Sequence, residues 1–294
     1  MYAVWLLVAL SAVAVLETYW RLPASELWKV TGTGPAGGAS RAFVFLGYSP
    51  ALASIAVLAI VVDRLDERRA TPLGVLALIL CATVAIPGVQ DPNDLDAKWW
   101  NLPAFLGVLI AFGLTVWAGA CGRREAVRTR IAGDVARLAT GAVALFFAAP
   151  YIAAELGFFL DGVPLLGWIF QTGRPRPETP GSSFIHAAVH HGHHHGLDGF
   201  LLTITALLLS RLLGGMRRTG LRAATAAYLS LMLVYGLTNM ANDLWSEQVA
   251  KRSWTTWQIP DVLSPTLSGA WAAMVACAVV VYYVFWRERP LFGR

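Results

Sequence analysis

The stretch HHGHHHGLDGFLLTITALLLSRLLGGMRR, residues 190–218, decides how this chain is read. Its middle, 196–213, is an apolar run whose only charges are Asp198 near one end and Arg211 near the other. A run of about 20 residues with so few charges is long enough to cross a bilayer as a helix. Histidines precede it, and Arg217 and Arg218 follow it, so its two ends differ in chemistry.

Outward from this run, similar stretches recur at 2–19, 43–62, 71–89, 102–120, 136–159, 221–241 and 266–286. Together they predict an all-α, polytopic transmembrane helix bundle of about eight spans, forming one integral membrane domain over 1–294. Composition agrees. The chain is 56% hydrophobic and 14% charged, with a mean hydropathy of +0.56, and a soluble domain of this length would carry more polar surface. The opening MYAVWLLVALSAVAVLE lacks the basic start of a secretory signal and reads as a retained first helix. The segment GRPRPETPGSS, within 161–183, predicts irregular backbone because of its proline and glycine content.

Charge placement gives an orientation. Alternate loops and the C-terminus hold Arg64, Arg68 and Arg69; Arg123, Arg124, Arg128, Arg130 and Arg137; Arg211, Arg217, Arg218 and Arg222; and Arg287, Arg289 and Arg294. The opposite loops hold the lysines and most acids, among them Asp91, Asp94, Asp96, Asp161, Glu178, Asp243, Glu247 and Asp261. The positive-inside rule makes the arginine side cytoplasmic, and eight spans then place both termini there. The expected location is a cell membrane, that of a bacterial plasma membrane. Trp20, Trp28, Trp99, Trp100, Trp168, Trp245, Trp254 and Trp257 fall on the other side and read largely as an interfacial belt. The net charge of +5 is spread over short loops between apolar runs, which excludes nucleic acid as a partner; membrane lipids are the expected surroundings. Cys81, Cys121 and Cys277 form neither a disulfide framework nor a CxxC motif and read as small packing residues.

All six histidines lie within 186–195: His186, His190, His191, His193, His194 and His195. The run is internal and broken by Gly192, unlike a tag. If 183–213 is one helix capped by Ser182 or Ser183, the pairs 186/190, 190/194 and 191/195 have i,i+4 spacing. That spacing lets two imidazoles converge on one metal ion. Asp198 stands in the same relation to His194, as a ligand or an orienting group. One segment rarely completes a site, so oxygen donors are sought on neighbouring spans. Glu155, in PYIAAELGFF, and Asp243, in YGLTNMANDLWSEQ, are the strongest, since intramembrane carboxylates are costly. Tyr235, Asn239, Asn242, Asp243 and Ser246 form a polar stripe there, with Glu247 beside it; Glu17 and Arg41 are weaker candidates.

Nitrogen and oxygen donors without cysteine suit zinc, iron or copper(II). The expected function is a metal-dependent membrane hydrolase or oxidoreductase, with Glu155 or Asp243 as general base, acting on a lipid or lipid-linked substrate. The alternatives are extracytoplasmic metal capture, transport or delivery, and a non-catalytic membrane subunit. Two short motifs resemble known families without assigning the chain to either. His186 and His190 match the HxxxH box of membrane fatty-acid desaturases and hydroxylases, but those boxes are spread over separate cytosolic segments. GRPRPETPGSSFIHA is similar in order to the RP…PSGH pattern of the phosphatidic-acid phosphatase superfamily, but GSSFIH stands in place of PSGH and the later arginine–histidine–aspartate motif is missing.

Overall fold

The computed structural model describes residues 1–27, 31–65, 68, 70–86, 88–90, 94–122, 131–179, 181–192 and 195–286. Their helices are α1 (Tyr2–Arg21), α2 (Gly34–Leu46), α3 (Ser49–Leu65), α4 (Ala70–Ala82), α5 (Leu102–Ala120), α6 (Asp134–Glu155) and α7 (Leu166–Ile169), then α8 (His195–Ser210), α9 (Thr219–Gln248) and α10 (Gly269–Val281). Two short strands, β1 (Pro175–Pro177) and β2 (Ile185–Ala187), lie between α7 and α8.

Six of these helical segments are long and apolar enough to cross a membrane, or seven if the bent pair α2–α3 counts as one span. The pair bends by 40° at Gly47 and Tyr48, and Pro50 sits at the start of α3, where its missing N–H costs nothing. The stretch 71–89, expected as a full span, forms the shorter α4 followed by a 3-10 turn, Thr83–Ala85. The expected boundaries at 102–120 coincide with α5, whereas α9 runs well past residue 241 to Gln248.

The packing has a centre and a rim. α8 packs most extensively on α9 and also touches α1, α3 and α6; α1 pairs with α2, and α3, α4 and α5 form a group of their own. The α8 span is 72% buried and the α10 span only 11%, so α8 is the axis and α10 lies on the outside. The exposed Leu, Val and Phe side chains of α1, α5, α6 and α10 are those a hydrocarbon environment would cover.

The two ends differ as the charge pattern suggests. At one end Arg211 Nε lies 3.0 Å from Asp134, Arg137 donates to Ser210 (2.8 Å), and Asp63 accepts from the Arg217 and Arg218 amides. We call this the arginine end. The other end, where α1, α6 and α9 finish and α8 starts, holds His186, His190, His191 and His195 and exposed Trp20, Trp99, Trp168, Trp254 and Trp257. Trp28 and the arginines at 69, 123, 124, 128, 130, 287, 289 and 294 lie outside the described residues, as does Asp91.

Residues 183–192 correct the sequence expectation. They do not extend α8. Ile185–Ala187 pairs antiparallel with Pro175–Pro177, in the register Pro175 with Ala187, Arg176 with His186 and Pro177 with Ile185. The segment expected to be irregular, GRPRPETPGSS, thus contains a strand, and the single turn α7 precedes it in the same loop. The reason is local: Pro175 and Pro177 fix φ near its extended value and need no ladder donor at a sheet edge. Gly192 then turns the chain with φ +71°, ending any helical continuity before His195.

Candidate functional site

Three apolar helices bring ionisable side chains to the histidine end. α6 supplies Tyr151 and Glu155, one turn apart, and α8 supplies His195 and Asp198 in its first turn. α9 supplies Tyr235, Asn239, Asp243 and Glu247 at i,i+4 spacing, and the same stripe continues past the helix to Lys251. Glu155 is 1% exposed, and Asp198 and Asp243 are each 6% exposed. His195 and Asp243 lie near enough to Asp198 to act on it electrostatically, with the Ser49 side chain beside it. Asp243 and Glu247 act similarly on buried Tyr151.

Beside these groups is a small cavity with about 30 Å³ of free volume. Its polar lining comes from Tyr19, Arg41, Tyr48, Gln90, Asn101, Glu155 and Asp198. That is room for a water molecule or a small polar group among several partners. The Arg41 guanidinium lies over the Tyr19 ring, 4.7 Å from its centroid. The Tyr19 hydroxyl donates to the Gly192 carbonyl (2.9 Å), and the Thr18 hydroxyl donates to the Glu155 carbonyl. The Gly192 amide in turn donates to the Ala154 carbonyl (3.2 Å). α1 therefore ties the turn before α8 to the end of α6.

The β1–β2 hairpin closes this end. His186 Nε2 contacts the Glu178 carboxylate, and Lys251 Nζ lies 3.3 Å from that carboxylate and 2.9 Å from that of Glu247. Lys251 also donates to the Ala188 carbonyl (3.2 Å). Burial works against ionisation of Glu178, but the Lys251 ammonium and the His186 hydrogen bond outweigh it and hold the carboxyl below its usual range. His190 stacks on His186 with ring centroids 4.0 Å apart, and His191 stacks on Phe159 at 4.1 Å. Burial pushes the His191 imidazole down, partly opposed by a hydrogen bond to the Ala154 carbonyl.

The expected ligand arrangement is therefore redistributed. His186 and His190 belong to the hairpin, their rings parallel rather than convergent. His191 belongs to a loop, and His195 begins α8. The i,i+4 helical geometry assumed for 186/190 does not arise, because the chain there is strand and bend, and His191 stands before the left-handed turn at Gly192 rather than in α8 with His195. His193 and His194 lie outside the described residues, and with them the 190/194 and 194/198 pairs. Among the described residues, no three His, Cys, Asp or Glu side chains stand at metal-ligand spacing. Glu17, half-exposed, pairs with Arg21 (2.7 Å) away from the cavity, whereas Arg41 is buried and lines it. Asn242 and Ser246 are not part of the buried stripe; Asn242 donates to the Ile259 carbonyl (2.6 Å).

Sequence reasoning missed Tyr19, Tyr48, Tyr151, Glu178 and Lys251. The signal for Lys251 was present: the stripe 235, 239, 243, 247, 251 keeps one face of the helix past the end of the apolar run. Comparison with family models, curated proteins and solved structures finds no match for this chain.

Proposed function

We propose that this chain is a metal-dependent enzyme of a bacterial plasma membrane, acting on a lipid or lipid-linked substrate at the histidine end of its bundle. In this reading the arginine end faces the cytoplasm, with both termini, and the histidine end faces outward. One observation carries the proposal: Glu155, Asp198 and Asp243 come from three separate apolar helices and are all buried at the same end. Carboxylates among membrane-spanning helices are expensive and mark functional sites by default. His195, one turn before Asp198, adds a nitrogen donor, and mixed nitrogen and oxygen donors suit zinc, iron or copper(II). His195 and Asp198 are the proposed protein ligands; Glu155 would have to move to join them, since no three such side chains stand at ligand spacing among the described residues. Asp243, or Glu155 where it is not a ligand, accepts a proton from water in a hydrolysis; a redox-active ion would support an oxidation instead. His186, His190 and His191 line the cap over this site.

The test is metal content of protein purified in detergent, washed with chelator and measured by mass spectrometry. About one retained ion per chain in the wild type, lost in His195→Ala and Asp198→Asn, is the expected result. Wild-type protein from metal-supplemented cells that retains no ion overturns the reading.

A further inference from the structure

We propose that the protein binds a long-chain carboxylate, with its hydrocarbon chain in a groove between α3–α4 and α9–α10 and its head in the polar cavity on Arg41. This deepens the enzyme reading and rests on it for the chemistry, while the binding itself needs no metal.

The groove has about 270 Å³ of free volume and is lined by Leu52, Val84, Leu231, Met232, Leu263 and Trp271, with tyrosines at its edges. Such a lining binds hydrocarbon and offers a charged group nothing. Its inner end is different. Tyr48 lines both this groove and the polar cavity, so its side chain borders the two spaces. At that wall the Tyr48 and Tyr235 hydroxyls lie 2.9 Å apart, and both lie within hydrogen-bond distance of the Leu263 carbonyl (3.1 and 2.8 Å). An amphiphile entering from the side would meet the apolar lining, then the two hydroxyls, and its head would reach the cavity only where the Tyr48 ring turns aside.

The cavity specifies the head. Arg41 lines it at 4% exposure, and its Nη1 has no hydrogen-bond partner among the described residues. A buried guanidinium with an open donor is the side chain best suited to an oxyanion. Glu155 and Asp198 line the same cavity and Arg41 is the one cation in its lining among the described residues, so a head with more than one negative charge is disfavoured there. The free volume, about 30 Å³, fits a carboxylate and excludes a sugar or a large phosphate ester.

The experiment uses full-length protein in phosphatidylcholine nanodiscs with chelator present. A diazirine-bearing palmitic acid is photo-crosslinked and the labelled peptides are identified, with palmitate, hexadecyl phosphate and hexadecyltrimethylammonium as competitors. Labelling is expected on the α9 segment around Leu231 and on the loop at Leu263, and palmitate is expected to displace it. Leu231→Trp, which fills the groove at a partly exposed position, is expected to lose the label. Arg41→Lys is expected to keep the preference for palmitate over the ammonium amphiphile, and Arg41→Gln to lose that preference. Competition within the wild type decides the matter even if an Arg41 variant fails to fold. Equal displacement by palmitate and the ammonium amphiphile overturns the proposal, as does displacement by the phosphate alone or labelling away from the groove. Labelling of metal-free protein that never retains metal would leave this inference standing and remove the enzyme reading. Metal retention without labelling would do the reverse.

Discussion

Gly199 of α8 and Gly236 of α9 meet backbone to backbone: a Cβ on either would lie 2.6 Å from the carbonyl oxygen of the other. This crossing brings the first turn of α8, with Asp198, near Asp243 of α9. Small residues at helix contacts matter in a bilayer, where association depends on close packing rather than on the hydrophobic effect. Gly236→Ala is expected to destabilise the protein by about 1–3 kcal/mol, because the clash is with backbone and cannot be relieved by a rotamer. Gly220→Ala, on the same helix with nothing within 4 Å of its Cβ, is the matched control and is expected to be neutral or slightly stabilising. Thermal unfolding of both variants in one detergent checks the pair. Equal melting temperatures would show that α8 and α9 do not cross this closely.

At the arginine end, buried Asp63 on α3 accepts from the Arg217 amide (2.6 Å) and the Arg218 amide (3.0 Å), just ahead of the first turn of α9. A carboxylate there satisfies orphan donors and complements the positive end of the helix. Asp63→Ala is expected to cost about 1–3 kcal/mol, with Asp63→Asn losing less because its amide oxygen still accepts one bond. Thermal unfolding reads the order Ala below Asn below wild type; the reverse order would discount the capping role.

These two contacts show what the sequence could and could not reveal. Apolar runs and arginine placement follow directly from transfer energetics, so the helical bundle and its two unlike ends were legible. Glu155 and Asp243 stood out because a carboxylate in an apolar run is conspicuous. The histidine segment was misread because periodicity alone suggested a helix. Register with Pro175–Pro177 is a long-range property, and Gly192 acts through a positive φ that spacing does not reveal. Arg41 was ambiguous for a similar reason: an arginine at the start of an apolar run anchors at the interface as often as it lines a cavity. Only the bend between α2 and α3, with Tyr19 packed beneath, settles which it is.

The loop after α6 has its own pH response. The Asp161 carboxylate accepts from the Gly173 amide (2.5 Å), the Thr172 hydroxyl (2.8 Å) and the Thr172 amide (3.3 Å). Burial alone would raise its pKa, but these hydrogen bonds prevail and hold it below the usual carboxylate range. The folded value is depressed, so the stabilisation is fully present above the unfolded pKa and is lost as pH falls through the folded one. Proteolysis of the loop 157–174 is expected to accelerate on acidification below the ordinary aspartate range, about pH 4. Asp161→Asn is expected to be cleaved faster at neutral pH and to show a flatter pH profile. A profile identical to wild type would place the acid sensitivity elsewhere.

Lys251 ties the hairpin to the end of α9. Lys251, 5% exposed, reaches the Glu247 and Glu178 carboxylates and the Ala188 carbonyl, joining the end of α9 to both sides of the cap. Lys251→Met leaves two carboxylates facing each other without the ammonium, one of them buried. Breaking a buried pair from one side costs about 3–5 kcal/mol, and removing both partners costs far less. Lys251→Met is therefore expected to destabilise the cap strongly, and the double variant Lys251→Met with Glu247→Gln to recover most of the loss. Hydrogen exchange at the Glu178 and Ala188 amides, which bond to Phe184 and Arg174 carbonyls at 2.9 and 3.0 Å, reports on the hairpin directly. Faster exchange in the single variant and restored protection in the double one is the expected outcome. If both variants exchange as the wild type does, the β1–β2 pairing and the Phe159–His191 stack hold the cap without Lys251.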